Sequence, residues 1–203
     1  MPLLAFALLA LATLGFTPSL QAAPAADLAR AEEIVQGKCF LCHGPDGESS
    51  SPVFPRLAGQ HAEYLARQLA DYQSGRRQSD TMKPMVADLS AADFKALGAY
   101  FEARKPLAHA VADADLAQVG RFVFQRGNPY SGVPACAGCH GPGGAGTDKL
   151  PRLAGQHAEY TERQLRQFDK RERSNDNAVM HSVASKLTEL ERKAVASYIS
   201  GLK

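Results

Sequence analysis

Beyond an apolar opening stretch, apolar positions along the chain recur three and four residues apart, the period of a helix with one buried face. Ala31, Ile34 and Val35 form one such stripe, and Leu116, Val119, Phe122 and Val123 form its counterpart later in the chain. Leu65, Leu69 and Tyr72 predict a middle helix that stops near Gly75; Leu165 and Phe168 repeat part of that stripe. A last helix opens at Ser90 with Asp93 three residues on, and again at Thr188 with Glu191, the spacing of a capping box. Phe94, Leu97 and Phe101 follow the first of these starts, and Val195, Tyr198, Ile199 and Leu202 follow the second. Strand-like alternation is missing, so the expected class is all-α.

These elements come in two sets because the chain is duplicated. The decapeptide PRLAGQHAEY runs from Pro55 to Tyr64 and returns letter for letter from Pro151 to Tyr160. The offset between copies is 97 at Cys39/Cys136, 96 at Gln68/Gln164 and 98 at Tyr100/Tyr198, so the copies differ by single-residue loop changes. We expect one domain over residues 27–105, a linker over 106–113 that begins at the helix-stopping Pro106, and a second domain over 114–203. Each unit is small for a core of its own. With no Trp and 7% aromatic residues, the cores invite a bulky apolar group from outside the chain.

Residues 1–25 read as a secretory signal: the run from Leu3 to Phe16 is apolar, shorter than the ~20 residues of a spanning helix, and followed by small residues. Cleavage falls after Ala25 or a few residues earlier. The other reading is an uncleaved anchor, which would give peripheral membrane association. Formal net charge is +2 with no long basic run, which excludes the electrostatic footprint of a nucleic-acid binder.

All four cysteines lie in two clusters, CFLCHG from Cys39 and CAGCHG from Cys136. C-x-x-C alone fits half a zinc site, a dithiol redox pair or a haem attachment site; the histidine that follows directly selects the last. Cys39, Cys42, Cys136 and Cys139 then form thioethers to two covalently bound haem c groups, with His43 and His140 as axial ligands. Zinc would need its other thiols from the opposite unit, and a dithiol pair has no use for the histidine. The sixth ligand is sought among the methionines. Met82 and Met180 correspond at the same offset of 98 that aligns Leu89 with Leu187, whereas Met85 falls opposite Val183. Met82 and Met180 are the expected ligands, with Met85 as core packing.

On these motifs the chain resembles the dihaem cytochrome c4 family, tandem class I cytochrome c domains, over nearly all of residues 27–203. CFLCHG, CAGCHG, the paired PRLAGQ and the methionines ahead of LS and LT carry the resemblance. It implies two domains, each wrapped around one haem with a His/Met iron, that transfer electrons in the bacterial periplasm without enzymatic turnover. By the same resemblance Pro55 and Pro151 are candidates to accept from the axial histidines. Arg56 and Arg152 recur beside them and suit haem propionates, since a guanidinium matches carboxylate geometry. The implied donor is a quinol-oxidising complex and the implied acceptor a terminal oxidase. Rival readings are the haem subunit of a flavocytochrome-type dehydrogenase, such as a sulfide-oxidising one, and a peroxidase or gas sensor with one open iron. Residues 24–105 carry 10 Lys/Arg against 11 Asp/Glu and residues 114–203 carry 13 against 9, a charge asymmetry able to orient the molecule between partners.

Overall fold

The computed structural model describes residues 25–203, so the expected signal lies outside the described residues apart from its last position. The first unit runs through α1 (Ala25–Ile34), a π-helical turn (Val35–Cys39), α2 (Phe40–His43), α3 (Ala62–Ser74), α4 (Met82–Val86) and α5 (Ala91–Glu102). The second repeats it with α6 (Ala114–Arg126), α7 (Ala137–His140), α8 (Ala158–Asp169), α9 (Val179–Ala184) and α10 (Glu189–Ser200). Among the described residues the only β feature is the isolated bridge between Asn128 and Val133.

Both last helices start where their capping boxes predict. Ser90 accepts from the Asp93 amide while Asp93 accepts from the Ser90 amide, and Thr188 and Glu191 do the same for α10. The middle helix α3 ends on Gly75 in the left-handed region, φ 80°. Phe94, Leu97 and Phe101 of α5 pack with Ile34, Val35 and Leu65 in one buried cluster. In the second unit the core divides into Phe124, Val195 and Ile199 on one side and Val123, Val133 and Leu187 on the other.

Two expectations about packing are corrected. Val119 and Phe122, read as part of the inward stripe of α6, are 45% and 54% exposed. The buried face is Ala117, Gly120, Val123 and Phe124, because α6 crosses α10 at Gly120, where a β-carbon would run into the Ala194 carbonyl. That close approach turns the helix about its axis and carries the neighbouring residues outward. Met85 is 40% exposed rather than core, and Val86 beside it fills the interior.

The two units meet through swapped pairs of contacts. Gln156 accepts from the Arg56 amide and donates to the Arg56 carbonyl, both at 2.9 Å; Gln60 does the same for Arg152 at 2.8 and 2.9 Å. His61 donates through Nε2 to Ala145 O at 2.8 Å, and His157 to Ser49 O at 2.9 Å. Deeper in, Arg77 donates to Tyr160 and Gln164 at 2.9 and 2.8 Å, and Arg173 to Tyr64 and Gln68 at 3.0 Å each. Each pair exchanges its members between units, the signature of a pseudo-two-fold axis through the interface.

Candidate cofactor sites

Each C-x-x-C-H cluster ends in a single helical turn, α2 or α7, closed by a glycine at positive φ, Gly44 or Gly141. The turn brings both thiols and the imidazole to one side of a short stretch of chain. None of the four cysteines pairs with another in a disulfide. Burial pushes the thiols of Cys39 and Cys136 up to about 11, opposite to the depressed values of catalytic dithiols. Among the described residues no three His, Cys, Asp or Glu side chains converge as a metal cluster, so zinc lacks a donor set.

Both histidines are buried, at 6% and 7% exposure. His43 donates through Nδ1 to Pro55 O at 2.9 Å and His140 to Pro151 O at 3.2 Å. Burial lowers both pKa values and the proline carbonyls oppose that only in part, so each imidazole is neutral with its proton on Nδ1. Nε2 therefore carries the free lone pair. Phe54 stands edge-on to His43 with ring centroids 6.2 Å apart.

Met82 is partly buried against the same apolar cluster that Cys39 borders. Met180 is partly buried at the start of α9, whose first turn is held by Asp176 accepting from the Met180 amide at 2.5 Å. His181, next along, donates to Phe168 O at 2.9 Å and ties α9 to α8. Arg56 and Arg152 lie at the interface, facing one cavity that Glu48, Gln60 and Gln156 also line. Arg56 donates through Nη1 to Gly155 O, and its Nε is 3.5 Å from Glu48 Oε2. Nε of both arginines is buried without a hydrogen-bond partner. Burial lowers the pKa of both, with Glu48 opposing. Two under-satisfied guanidiniums, two neutral imidazoles and two thiol pairs fit a pair of haem groups with anionic side arms.

The sequence reading missed the interface residues. His61 and His157 each stand directly ahead of a helix, yet neither side chain caps it, and both bridge the units. His109, in the segment joining the units, lies 3.0 Å from Glu48 Oε2. The available signal was the ten-residue identity itself. Two copies that touch through the same patch around a pseudo-two-fold axis are constrained alike, whereas the outward faces are free to diverge.

Comparison with known proteins points to one family. The family model described as Cytochrome c matches residues 117–203, and the one described as Cytochrome C oxidase, cbb3-type, subunit III matches residues 26–101. Cytochrome c4 of Thiocapsa roseopersicina is 45% identical over 84% of this chain and 90% of its own length. The crystal structure of reduced recombinant cytochrome c4 from Pseudomonas stutzeri superposes with a TM-score of 0.82 at 39% identity, over 87% of this chain and 98% of that one. A protein of Thiomonas intermedia named thiosulfate dehydrogenase electron acceptor is 37% identical over 95% of this chain and 89% of its own.

Proposed function

The chain belongs to the cytochrome c4 family of electron carriers and holds two covalently attached haem c groups, and we propose that it works in the periplasm with both irons fully coordinated. In this reading residues 27–105 and 114–203 are the haem domains, 106–113 joins them, and residues 1–25 are a secretion signal removed near Ala25. Cys39 and Cys42 anchor one haem, Cys136 and Cys139 the other. His43 and Met82 would hold the first iron, and His140 and Met180 the second.

The observation that carries this reading is the matched pair of imidazoles. Each is neutral, buried and fixed through Nδ1 by a proline carbonyl, which leaves Nε2 as a preoriented donor. Bound there, the iron supplies one-electron redox chemistry, at a potential that a methionine sulfur raises. The chain's own part is to keep Nε2 deprotonated, to offer the sulfurs of Met82 and Met180, and to shield the first site with Phe54. Arg56 and Arg152 neutralise the propionates. Closed coordination leaves no position for a substrate, so the protein exchanges electrons with other proteins.

The donor is a quinol-oxidising complex and the acceptor a terminal oxidase. A second reading, in which a dehydrogenase is the donor or a fixed partner, is favoured by the likeness to the Thiomonas acceptor protein. Copurification separates them: a dehydrogenase subunit brings its catalytic chain in fixed stoichiometry, whereas a free carrier purifies alone. The ligand assignment is tested by the methionine–iron charge-transfer band of the oxidised protein. Met82→Ala and Met180→Ala each remove about half of it, since each abolishes one of two His/Met centres, and Met85→Ala leaves it intact. Loss of the band in Met85→Ala equal to that in Met82→Ala would overturn the assignment.

A further inference from the structure

The interface is reciprocal in its backbone-directed contacts, and Glu48 breaks the pattern. Gly47 and Gly144 accept from the same leucine of the repeat, and Ser49 and Ala145 from the same histidine, so Glu48 is a one-residue insertion with no counterpart in the second unit. The Glu48 carboxylate, 15% exposed, accepts from the Leu107 amide at 2.9 Å, lies 3.0 Å from His109 Nε2 and 3.5 Å from Arg56 Nε. His109 belongs to the segment joining the two units, which occurs once, so the first unit alone possesses this pair.

The surrounding charge is one-sided. Arg152 lines the same cavity, and His157 arrives from α8's start to bond Ser49 O. Arg104 and Lys105 lead into the joining segment, with Arg104 3.7 Å from Asp46. Among the chain's own carboxylates only Glu48 lines this cavity, where it faces Arg56, Arg152, His109 and His157, and the propionates assigned to the two arginines would be its anionic neighbours. The pair is also tied to the first attachment cluster. Ser49, 3% exposed, donates through its hydroxyl to Cys42 O at 2.9 Å, immediately before His43. A β-carbon on Gly44 would sit 2.9 Å from Glu48 O, so the two stretches are in backbone contact.

We propose that Glu48 and His109 form a proton-binding site coupled to reduction of the first domain's iron, a property that goes beyond carrier function and rests on that domain holding its haem. The balance is one electron and up to one proton. The electron comes from the donor protein and takes iron from ferric to ferrous. The proton comes from water and converts neutral His109 to imidazolium beside the Glu48 carboxylate. Added negative charge at the iron favours the cationic imidazole, and by linkage the imidazolium favours the reduced iron. As pH rises and His109 loses its proton, that support disappears and the first domain's potential falls. The second domain, whose loop passes from Gly144 to Ala145 with no residue in the place of Glu48, has no such dependence.

The test is a spectroelectrochemical titration of the holoprotein between about pH 5 and 8, the interval in which imidazoles change charge. One of the two redox waves moves to lower potential with rising pH, by less than tenfold in the reduced-to-oxidised ratio per pH unit, and the other stays. His109→Gln, which retains a donor for Glu48, flattens the moving wave with both haems present by mass and the methionine band unchanged. Glu48→Gln flattens it too, and His157→Gln keeps it. NMR of the His109 ring shows its proton held to higher pH in the reduced than in the oxidised protein. Two flat waves in the parent protein, a slope that survives His109→Gln, a slope lost in His157→Gln, or a redox-independent His109 titration each overturns the proposal. A chain that lacks covalent haem would instead refute the functional reading beneath it.

Discussion

Gln60 and Gln156 each use both ends of one amide to satisfy both polar groups of an arginine backbone in the opposite unit. Truncating either leaves a partly buried N–H and C=O without partners, at about 1–3 kcal/mol. Gln60→Ala and Gln156→Ala therefore each lower thermal stability in a melt followed by haem absorbance. At this scale the two C-x-x-C-H clusters were readable directly, because the motif confines its chemistry to five consecutive positions. The roles of Gln60, Gln156, His61 and His157 were not, since nothing adjacent in the chain marks them; their partners lie more than 80 residues away.

The capping boxes of α5 and α10 show how much an element can be read locally. Amides and hydroxyl of Ser90 lower the Asp93 pKa; for Glu191, burial works the other way and is outweighed by hydrogen bonds from Asn128 and Thr188. Depressed folded values contribute stability that is present above the unfolded carboxylate values, about 3.9 for Asp and 4.3 for Glu. That stability is lost as pH falls through the lower folded values. Acid unfolding followed by circular dichroism below about pH 4 is accordingly less steep in Glu191→Gln than in the parent. Ser90→Ala and Thr188→Ala each cost about 1 kcal/mol at neutral pH. Helix orientation is another matter. Periodicity alone could not choose between the Val119/Phe122 face of α6 and the Ala117/Gly120/Phe124 face, because the choice depends on how closely α10 approaches. Gly120→Val forces that crossing apart and destabilises the second unit by about 1–3 kcal/mol, seen as a lower melting temperature for unfolding that exposes Phe124.

Across the whole molecule, the buried guanidiniums of Arg77 and Arg173 sit among tyrosine hydroxyls and glutamine carbonyls contributed by both units. The nearest buried carboxylate is Asp71, 2% exposed, which accepts from Asn175 at 2.7 Å; its counterpart in the repeat is Gln167. Removing one member strands the others, so Arg77→Met and Arg173→Met weaken the interface more than the loss of any rim contact. With both replaced, the two units unfold in separate calorimetric transitions, whereas the parent protein unfolds in one.

Helical class, duplication and the presence of two haem-binding motifs were determined by the amino-acid sequence, because each depends on neighbours within a turn or on identity between two stretches of chain. The tertiary structure alone decided which face of α6 is inward, that Met85 is exposed, that the repeated decapeptide is an interface, and that a joining-segment histidine meets Glu48. Those outcomes arise where surfaces about 100 positions apart close on one another, and a local pattern carries no record of the distance or angle at which they meet.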